Sequence, residues 1–285
     1  MPELPEVEIL CRRLEERTRG QAITRVEVAS VAALKTHTPP ISALSGLTLD
    51  RVGRRGKYVC IEAGGLFLVI HLARAGWVRW RDKLPPPSGR WGRGPLALRV
   101  GFAVGGFEVT EMGTEKRLAL FLVSSPTDVE GVATLGIDPF DPAFSHERLG
   151  ELLSGEKGDL KHALSRQSLI AGVGNAYSDE ALHAARLSPF KPAQKLSAGE
   201  IERLHSALVS VLRAAVEQAS GLDLDQLKDG KRQHMAVHGR KGQPCPACGD
   251  TVREVSFATR SLQYCATCQT GGKPLADRRL SRLLK

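Results

Sequence analysis

The first part of the chain carries apolar side chains at the spacing of one helical face. Four apolar residues recur at intervals of three and four positions: Val7, Leu10, Cys11 and Leu14. This spacing places side chains on one side of an α-helix. Pro5 suits the first helical position, where its missing N–H removes no hydrogen bond, and Gly20 is a typical residue after a helix end. The pattern predicts a helix from Pro5 to Gly20.

Residues 22–130 consist of short segments rich in valine, isoleucine, leucine and aromatic residues. Turns that contain glycine or proline separate them, which is typical of antiparallel strands in a sandwich or barrel. With the leading helix included, we predict an N-terminal domain of antiparallel strands over residues 2–130, folded as a sandwich or a barrel. The predicted strands are Ile23–Val28, Tyr58–Glu62, Leu66–Leu72, Val78–Trp80, Leu96–Phe102, Phe107–Thr110 and Leu118–Val123.

After residue 130 the spacing of the apolar positions becomes helical. Residues 131–142 have the composition of a linker. Ser197 and Glu200 form the S-x-x-E pattern that caps the start of a helix, and apolar residues follow it at helical spacing. We predict a helical domain over residues 143–240, and the chain as a whole is predicted to be an α+β multidomain protein.

Two pairs of cysteines follow the helical region. They have the C-x₂-C spacing, with sixteen residues between the pairs: Cys245 and Cys248, then Cys265 and Cys268. Each pair can present two thiolates to one tetrahedral ion, and the intervening segment can form a β-hairpin. Four cysteine ligands leave no open coordination position, so we predict one structural Zn²⁺ in a zinc finger over residues 241–269. A redox role for the C-x-x-C pairs is the alternative.

Three further residues are interpreted from their surroundings. Cys11 and Cys60 fall on apolar positions of the predicted helix and of a predicted strand, so we expect them in the core. Arg260 lies between the cysteine pairs, near the predicted hairpin tip. A hairpin held rigid by zinc can present an arginine to a phosphate with little loss of entropy. An ordinary solvated arginine is an equally open alternative.

Charge is distributed unevenly along the chain, whose net charge is +9. The last 58 residues contain twelve Lys or Arg and four Asp or Glu, and they end in a basic tail over residues 270–285. This distribution favours nucleic acid or an anionic membrane as the partner. The longest apolar run, Leu66–Ile70, is far shorter than the about 20 residues of a membrane span. The acidic start is unlike a signal peptide, so we expect a soluble cytoplasmic protein with thiols rather than disulfides.

The N-terminus offers a nucleophile. Methionine is normally removed ahead of a residue as small as Pro2, which exposes a secondary amine that is partly neutral near pH 7, since the reference pKa is about 8. Attack of this amine on an aldehyde carbon gives an iminium ion, which is an electron sink for elimination. Glu3 follows directly and can transfer protons. Taken locally, an ordinary helix start explains the same residues better.

Five motifs occur in a fixed order along the chain. They are Pro-Glu-Leu-Pro-Glu-Val-Glu at residues 2–8, Gly56-Lys57-Tyr58, His71-Leu72, Gly-Val-Gly-Asn-Ala-Tyr at residues 172–177, and the two C-x₂-C pairs. Each motif is weak alone except the cysteine pairs, but the combination is specific. Together, over residues 2–268, they resemble the formamidopyrimidine-DNA glycosylase / endonuclease VIII family.

The resemblance implies a fold and a set of roles. The fold would be a β-sandwich, a helix–two-turn–helix domain and a zinc finger, with DNA in the cleft between the two larger domains. Pro2 would be the Schiff-base nucleophile and Glu3 the acid/base catalyst. Lys57 would hold a phosphate beside the lesion, and Asn175 and Arg260 would bind further phosphates. One Zn²⁺ per chain, damaged double-stranded DNA as partner and a monomeric state are expected.

The sequence departs from the family at positions that determine which damaged base is recognised. Arg74 stands where members that act on 8-oxoguanine carry a methionine, and the loop over residues 114–118 lacks the Arg-Phe pair of those members. We expect Arg74 and Arg117 to contact DNA, either as a wedge in the duplex or at phosphates. The segment Gly221–His238 is shorter than the loop that covers an oxidised purine, which favours oxidised pyrimidines.

The predicted function is that of a DNA glycosylase of base excision repair, associated with the nucleoid, that also cleaves abasic sites by β- or β,δ-elimination. One alternative is an abasic-site lyase with little glycosylase activity. Another is a protein that binds damaged DNA without chemistry, which would keep Lys57 and Asn175 but would not need Pro2 and Glu3. A zinc-ribbon transcription factor would leave the N-terminal motif unexplained.

Overall fold

The computed structural model describes residues 1–86, 94–230, 234–257 and 261–276 of the 285-residue chain. The chain divides into two compact units. Unit 1 comprises Met1–Leu135 and Gln218–Gly230, and unit 2 comprises Gly136–Glu217 and Lys231–Lys285.

Unit 1 begins with the predicted helix. Helix α1 spans Leu4–Thr18, so it begins earlier than predicted and ends before Gly20. Its apolar stripe is fully buried, and the helix packs against strand β2. The predicted core position of Cys11 is confirmed, since only 3% of this residue is exposed.

Two four-stranded antiparallel sheets form the predicted β-sandwich of unit 1. One sheet has the strand order β1-β6-β7-β5 and the other β2-β3-β4-β8. The strands are β1 Arg25–Val28, β2 Leu49–Arg55, β3 Tyr58–Ala63, β4 Leu66–His71, β5 Gly76–Arg81, β6 Leu96–Gly101, β7 Gly106–Glu111 and β8 Ala119–Val123. Strand β2 was not predicted, because it contains one aspartate and three arginines and only two apolar residues.

A ladder of charged side chains crosses the first sheet. Glu27, Arg99 and Glu108 are direct neighbours on β1, β6 and β7. Arg99 donates to Glu108 at 2.6 Å and to Glu27 at 2.9 Å, and only 4% of Arg99 is exposed. Arg81 also donates to Glu108, at 3.1 Å. Burial raises the pKa of Glu108, but the hydrogen bonds from Arg99 and Arg81 lower that pKa below its ordinary value.

Replacing Glu108 with glutamine is expected to destabilise the protein in a pH-dependent way. A carboxylate whose pKa is lowered by folding stabilises the native state above its unfolded pKa, and this contribution is lost as the pH falls. Glu108→Gln should therefore lower the melting temperature at pH 7 and have a much smaller effect at pH 3.5. The exposed Glu115→Gln is the control. A loss of stability that is the same at both pH values would contradict the expectation.

Unit 2 contains the predicted helices and the cysteine hairpin. Within the described residues, the helices that follow α1 are α2 Glu130–Ala133, α3 His146–Ser154, α4 Leu160–Ser165, α5 Asn175–Ala184, α6 Ala198–Ser220, α7 Leu227–Gly230 and α8 Ala266–Thr270, of which α2 and α7 belong to unit 1. The predicted linker over residues 131–142 therefore begins inside α2. Strands β9 Val252–Ser256 and β10 Ser261–Cys265 pair antiparallel as the expected hairpin.

The predicted capping pattern does begin a helix. The backbone N–H of Ser197 donates to the Glu200 carboxylate at 2.9 Å. This is the return half of a capping box, and α6 follows it. Within the ranges that the structure describes, no helix combines the length and apolar character needed to cross a membrane.

Candidate catalytic and nucleic-acid-binding sites

Pro2 and Glu3 lie at the beginning of α1, and both are buried. Glu3 has an extended backbone with φ −119° and ψ −171°, and only 3% of it is exposed. Its N–H donates to the Glu6 carboxylate at 2.7 Å. The positive end of the helix dipole favours carboxylates at this position. Pro2 therefore lies at a helix start that contains two acidic residues, Glu3 and Glu6.

The reactivity of the Pro2 nitrogen depends on whether Met1 is attached. With Met1 attached, as in the chain described, the Pro2 nitrogen belongs to a peptide bond and its lone pair is delocalised. Removal of Met1 converts it into a secondary amine next to the buried Glu3. The Pro2 amine can then act as a nucleophile, and the Glu3 carboxylate beside it can transfer protons.

Lys57 occupies the two-residue loop between β2 and β3. Gly56 precedes it with φ 53°, the left-handed conformation that such a loop requires at its first position. Only 7% of Lys57 is exposed, so it is not an ordinary solvated surface lysine. Burial and the nearby charge of Lys57 lower the pKa of His71, which pairs with Tyr58 across the sheet.

An ion pair that was not predicted fastens the Lys57 loop to α1. Arg54, near the end of β2, donates to the Glu8 carboxylate of α1 at 2.6 Å. The Arg54 side chain is 8% exposed and that of Glu8 20% exposed. The strand that leads into Lys57 and the helix that begins after Glu3 are therefore held together in unit 1.

Arg74 is exposed on a tight turn between β4 and β5. The Gly76 N–H donates to the Leu72 carbonyl at 2.8 Å, and a Cβ on Gly76 would lie 2.1 Å from that oxygen. The sharp turn needs glycine there, and it directs the chain so that Arg74 stands at its tip. Met112, on the loop between β7 and β8, donates its N–H to Ala75 and is 53% exposed.

Arg117 lies on the same β7–β8 loop as Met112 and is exposed. Its guanidinium pairs with the exposed Glu115 at 3.1 Å. The buried Glu111 carboxylate accepts the N–H groups of Arg117 and Leu118 at 2.8 and 3.0 Å. The backbone of this loop is therefore held by a buried acidic residue that the sequence analysis did not single out.

Part of the segment Gly221–His238 packs on the β-sandwich within unit 1. Trp77 of β5 donates its indole N–H to the Leu224 carbonyl at 3.1 Å. Arg17 of α1 pairs with Asp223 at 3.6 Å. The first half of this segment is therefore anchored to the β-sandwich, and residues 231–233 lie outside the described ranges.

Asn175 is the first residue of α5 in unit 2. Its side-chain amide donates to the Ser261 carbonyl of β10 at 2.8 Å. The turn before it contains Gly172, with φ 86°. Asn175 thus joins the start of a helix, where backbone N–H groups favour anions, to the cysteine hairpin.

A buried charge network behind Asn175 was also not predicted. Lys161 of α4 donates to the Asp179 carboxylate at 2.6 Å, to the Ser178 hydroxyl at 2.8 Å and to the Asn175 carbonyl at 2.5 Å. The other Asp179 oxygen accepts the N–H of Gln263 at 3.2 Å. Lys161 and Asp179 are 7% and 1% exposed. The network fixes the first turn of α5 against the hairpin.

The four cysteines form the predicted metal site. Their sulfur atoms all lie within 4.8 Å of one another, and no other group of metal-ligating residues of this size occurs in the described ranges. Four thiolates are the donor set of a structural tetrahedral zinc site. The cluster therefore fits one structural Zn²⁺, held by Cys245, Cys248, Cys265 and Cys268. Arg260 and the tail beyond residue 276 lie outside the described residues.

Three family models match successive parts of the chain. The formamidopyrimidine-DNA glycosylase N-terminal domain matches residues 1–110, and the H2TH domain of the same glycosylase matches residues 135–225. The zinc finger found in FPG and IleRS matches residues 242–271.

Curated relatives match over most of the chain. The formamidopyrimidine-DNA glycosylase of Symbiobacterium thermophilum is 35% identical over 280 residues, which cover 94% of this chain and 89% of the relative. An uncharacterized formamidopyrimidine-DNA glycosylase-like protein of Mycobacterium tuberculosis is 56% identical over 151 residues, which cover 53% of this chain and 94% of that protein.

Solved structures show the same architecture. The MutM (Fpg) protein of Thermus thermophilus matches with a TM-score of 0.80 and 34% identity, covering 96% of this chain and 100% of that one. The Lactococcus lactis Fpg in complex with DNA containing an abasic site matches with a TM-score of 0.83 and 28% identity, covering 94% of this chain and 99% of that one.

Proposed function

We propose that this chain, which belongs to the formamidopyrimidine-DNA glycosylase family, removes damaged bases from duplex DNA and then cleaves the abasic strand. The observation that carries the proposal is the buried Pro2–Glu3 start of α1, fastened through Glu8 and Arg54 to the loop that holds Lys57. A protein that only binds damaged DNA would not need a nucleophile and a proton-transfer group in this arrangement.

The reaction begins once Met1 has been removed. The damaged nucleotide leaves the stack, which requires a few kcal/mol and less for a weakened pair. The Pro2 amine attacks C1′ of the sugar, the C1′–N bond to the base breaks, and the base takes up a proton. The Pro2 nitrogen then loses its proton, and the C1′–O4′ bond opens as O4′ takes up a proton, which forms a C1′=N iminium ion. The resulting iminium ion acidifies C2′–H, and loss of this proton expels the 3′ phosphate by β-elimination. Glu3 transfers protons in these steps, and a second elimination releases the 5′ phosphate.

Lys57 holds a phosphate beside the reacting sugar in this proposal. A lysine whose stem is buried in a rigid hairpin loop positions its charge better than one on a mobile surface. In unit 2, Asn175 and Arg260 are proposed to bind further phosphates. Binding through phosphates makes the affinity fall steeply with salt concentration.

Oxidised pyrimidines are the proposed preferred lesions. Arg74 replaces an apolar residue at the tip of the β4–β5 turn, and Arg117 lies exposed on the neighbouring loop. Both arginines are proposed to contact the DNA near the lesion. The exposed, charged Arg74 also supports a second candidate function, an abasic-site lyase with weak base removal.

Borohydride trapping of the protein with Met1 removed tests these functions together. Reduction of the iminium ion leaves a covalent protein–DNA adduct. Duplexes that carry thymine glycol, 8-oxoguanine or an abasic site are compared with an undamaged duplex. We expect adducts on all but the undamaged duplex, with thymine glycol faster than 8-oxoguanine. Trapping on the abasic duplex alone would favour the lyase, and tight salt-sensitive binding without any adduct would leave only a DNA-binding protein.

A further inference from the structure

The zinc site has a close neighbour that is not a cysteine. His183 lies in the last turn of α5, and its Nε2 is 3.2 Å from the Sγ of Cys245. Only 7% of His183 and 2% of Cys245 are exposed. The two residues are 62 positions apart in the sequence. An apolar side chain would serve if this position only filled space, whereas a buried imidazole places a polar nitrogen against the cysteine sulfur.

We propose that His183 is a positioning residue of the zinc site that donates a hydrogen bond from Nε2–H to the Cys245 thiolate. Four thiolates give a Zn²⁺ site a net charge of about −2, and two of them, Cys245 and Cys265, belong to buried residues. An N–H donor withdraws charge from the sulfur, which makes the thiolate a weaker base and protonation or oxidation less favourable.

The placement of His183 on α5 gives the hydrogen bond a second consequence. Asn175, at the other end of this helix, is bonded to β10, and Asp179 in the middle accepts an N–H of Gln263. His183 adds a third attachment, to the first cysteine pair. The metal site is therefore fastened to the helix that begins at Asn175, and zinc retention depends on the docking of the hairpin on α5.

The competing explanation is that His183 only fills volume. Three variants of the zinc-loaded protein separate the two explanations. His183→Phe keeps the bulk and removes the N–H, His183→Gln restores an N–H donor with less bulk, and His183→Ala removes both. The matched control is His205→Phe in α6, because the His205 imidazole contacts the Phe144 carbonyl at 2.7 Å and no cysteine.

The measurement is the rate of zinc transfer to a coloured chelator, with the melting temperature recorded for each variant. We expect His183→Phe to release zinc about 10- to 100-fold faster than the unchanged protein, the size typical of lost outer-shell partners of a metal site. His183→Gln should lie in between, and His205→Phe should match the unchanged protein. Zinc release from His183→Phe at the unchanged rate, with only His183→Ala faster, would overturn the proposal in favour of volume filling.

Replacing Zn²⁺ with Co²⁺ allows an absorption measurement that a change in packing alone would not alter. Loss of an N–H donor raises the energy of the sulfur lone pairs, so the thiolate-to-cobalt charge-transfer band of His183→Phe should shift to longer wavelength. The band of His205→Phe should stay in place. An unshifted band in His183→Phe would also overturn the proposal, even if this variant were less stable.

Discussion

A protein with one extra residue ahead of Pro2 is expected to form no borohydride-stable adduct with abasic DNA. The extra residue makes the Pro2 nitrogen part of a peptide bond, whose lone pair is not available for attack. The adduct should fall to the level found with undamaged duplex, while binding to the abasic duplex persists. Adduct yield and binding are measured on the same preparations.

Two substitutions sharpen this test. Pro2→Gly leaves a primary amine after Met1 is removed, so a reduced but detectable adduct is expected. Glu3→Gln keeps the Pro2 amine but removes the proton-transfer group, so base removal should slow by about 10²- to 10⁴-fold. Glu16→Gln on the exposed face of α1 is the control and should behave as the unchanged protein. An adduct that survives the extra residue would show that another amine, such as that of Lys57, is the nucleophile.

Replacing Lys161 with methionine is expected to destabilise unit 2 by about 3–5 kcal/mol, the typical effect of removing one partner of a buried ion pair. The substitution removes the Lys161 hydrogen bond to Asp179, which is 1% exposed and keeps its contacts with the His238 imidazole at 2.7 Å and the Gln263 N–H at 3.2 Å. The double variant Lys161→Met, Asp179→Asn removes both buried charges. Its loss of unfolding free energy should therefore be smaller than the sum of the losses in the two single variants. Chemical denaturation of all three variants measures this coupling.

Lys157→Met is the matched control for Lys161→Met. Lys157 is exposed just before α4, so its replacement should change stability by no more than about 0.5 kcal/mol. DNA affinity should also fall in Lys161→Met, because the Asn175 carbonyl loses its buried donor. Equal effects of Lys157→Met and Lys161→Met would refute a structural role for the buried pair.

The local elements and the zinc ligands were determined by the sequence itself. Three features depend on residues that are close together in the sequence, and they could therefore be predicted from it. They are the apolar stripe of α1, the capping pattern before α6 and the C-x₂-C pairs. Seven of the eight strands of the sandwich have the apolar composition expected of half-buried segments. Strand β2 does not, because neighbouring strands and α1 cover a segment whose own residues are largely charged.

Only the tertiary structure decided which charged side chains are buried and with which partners. Arg54 and Glu8 are 46 positions apart, Lys161 and Asp179 are 18 apart, and His183 and Cys245 are 62 apart. By residue type Glu8, Arg54, Lys161, Asp179 and His183 all suit a solvated helix or strand position, and only Cys245 had an expected partner, the metal ion. Their desolvation is favourable only when a distant partner lies within hydrogen-bond distance. That condition is set by how the helices and strands pack, and it cannot be read from the spacing of residues along the chain.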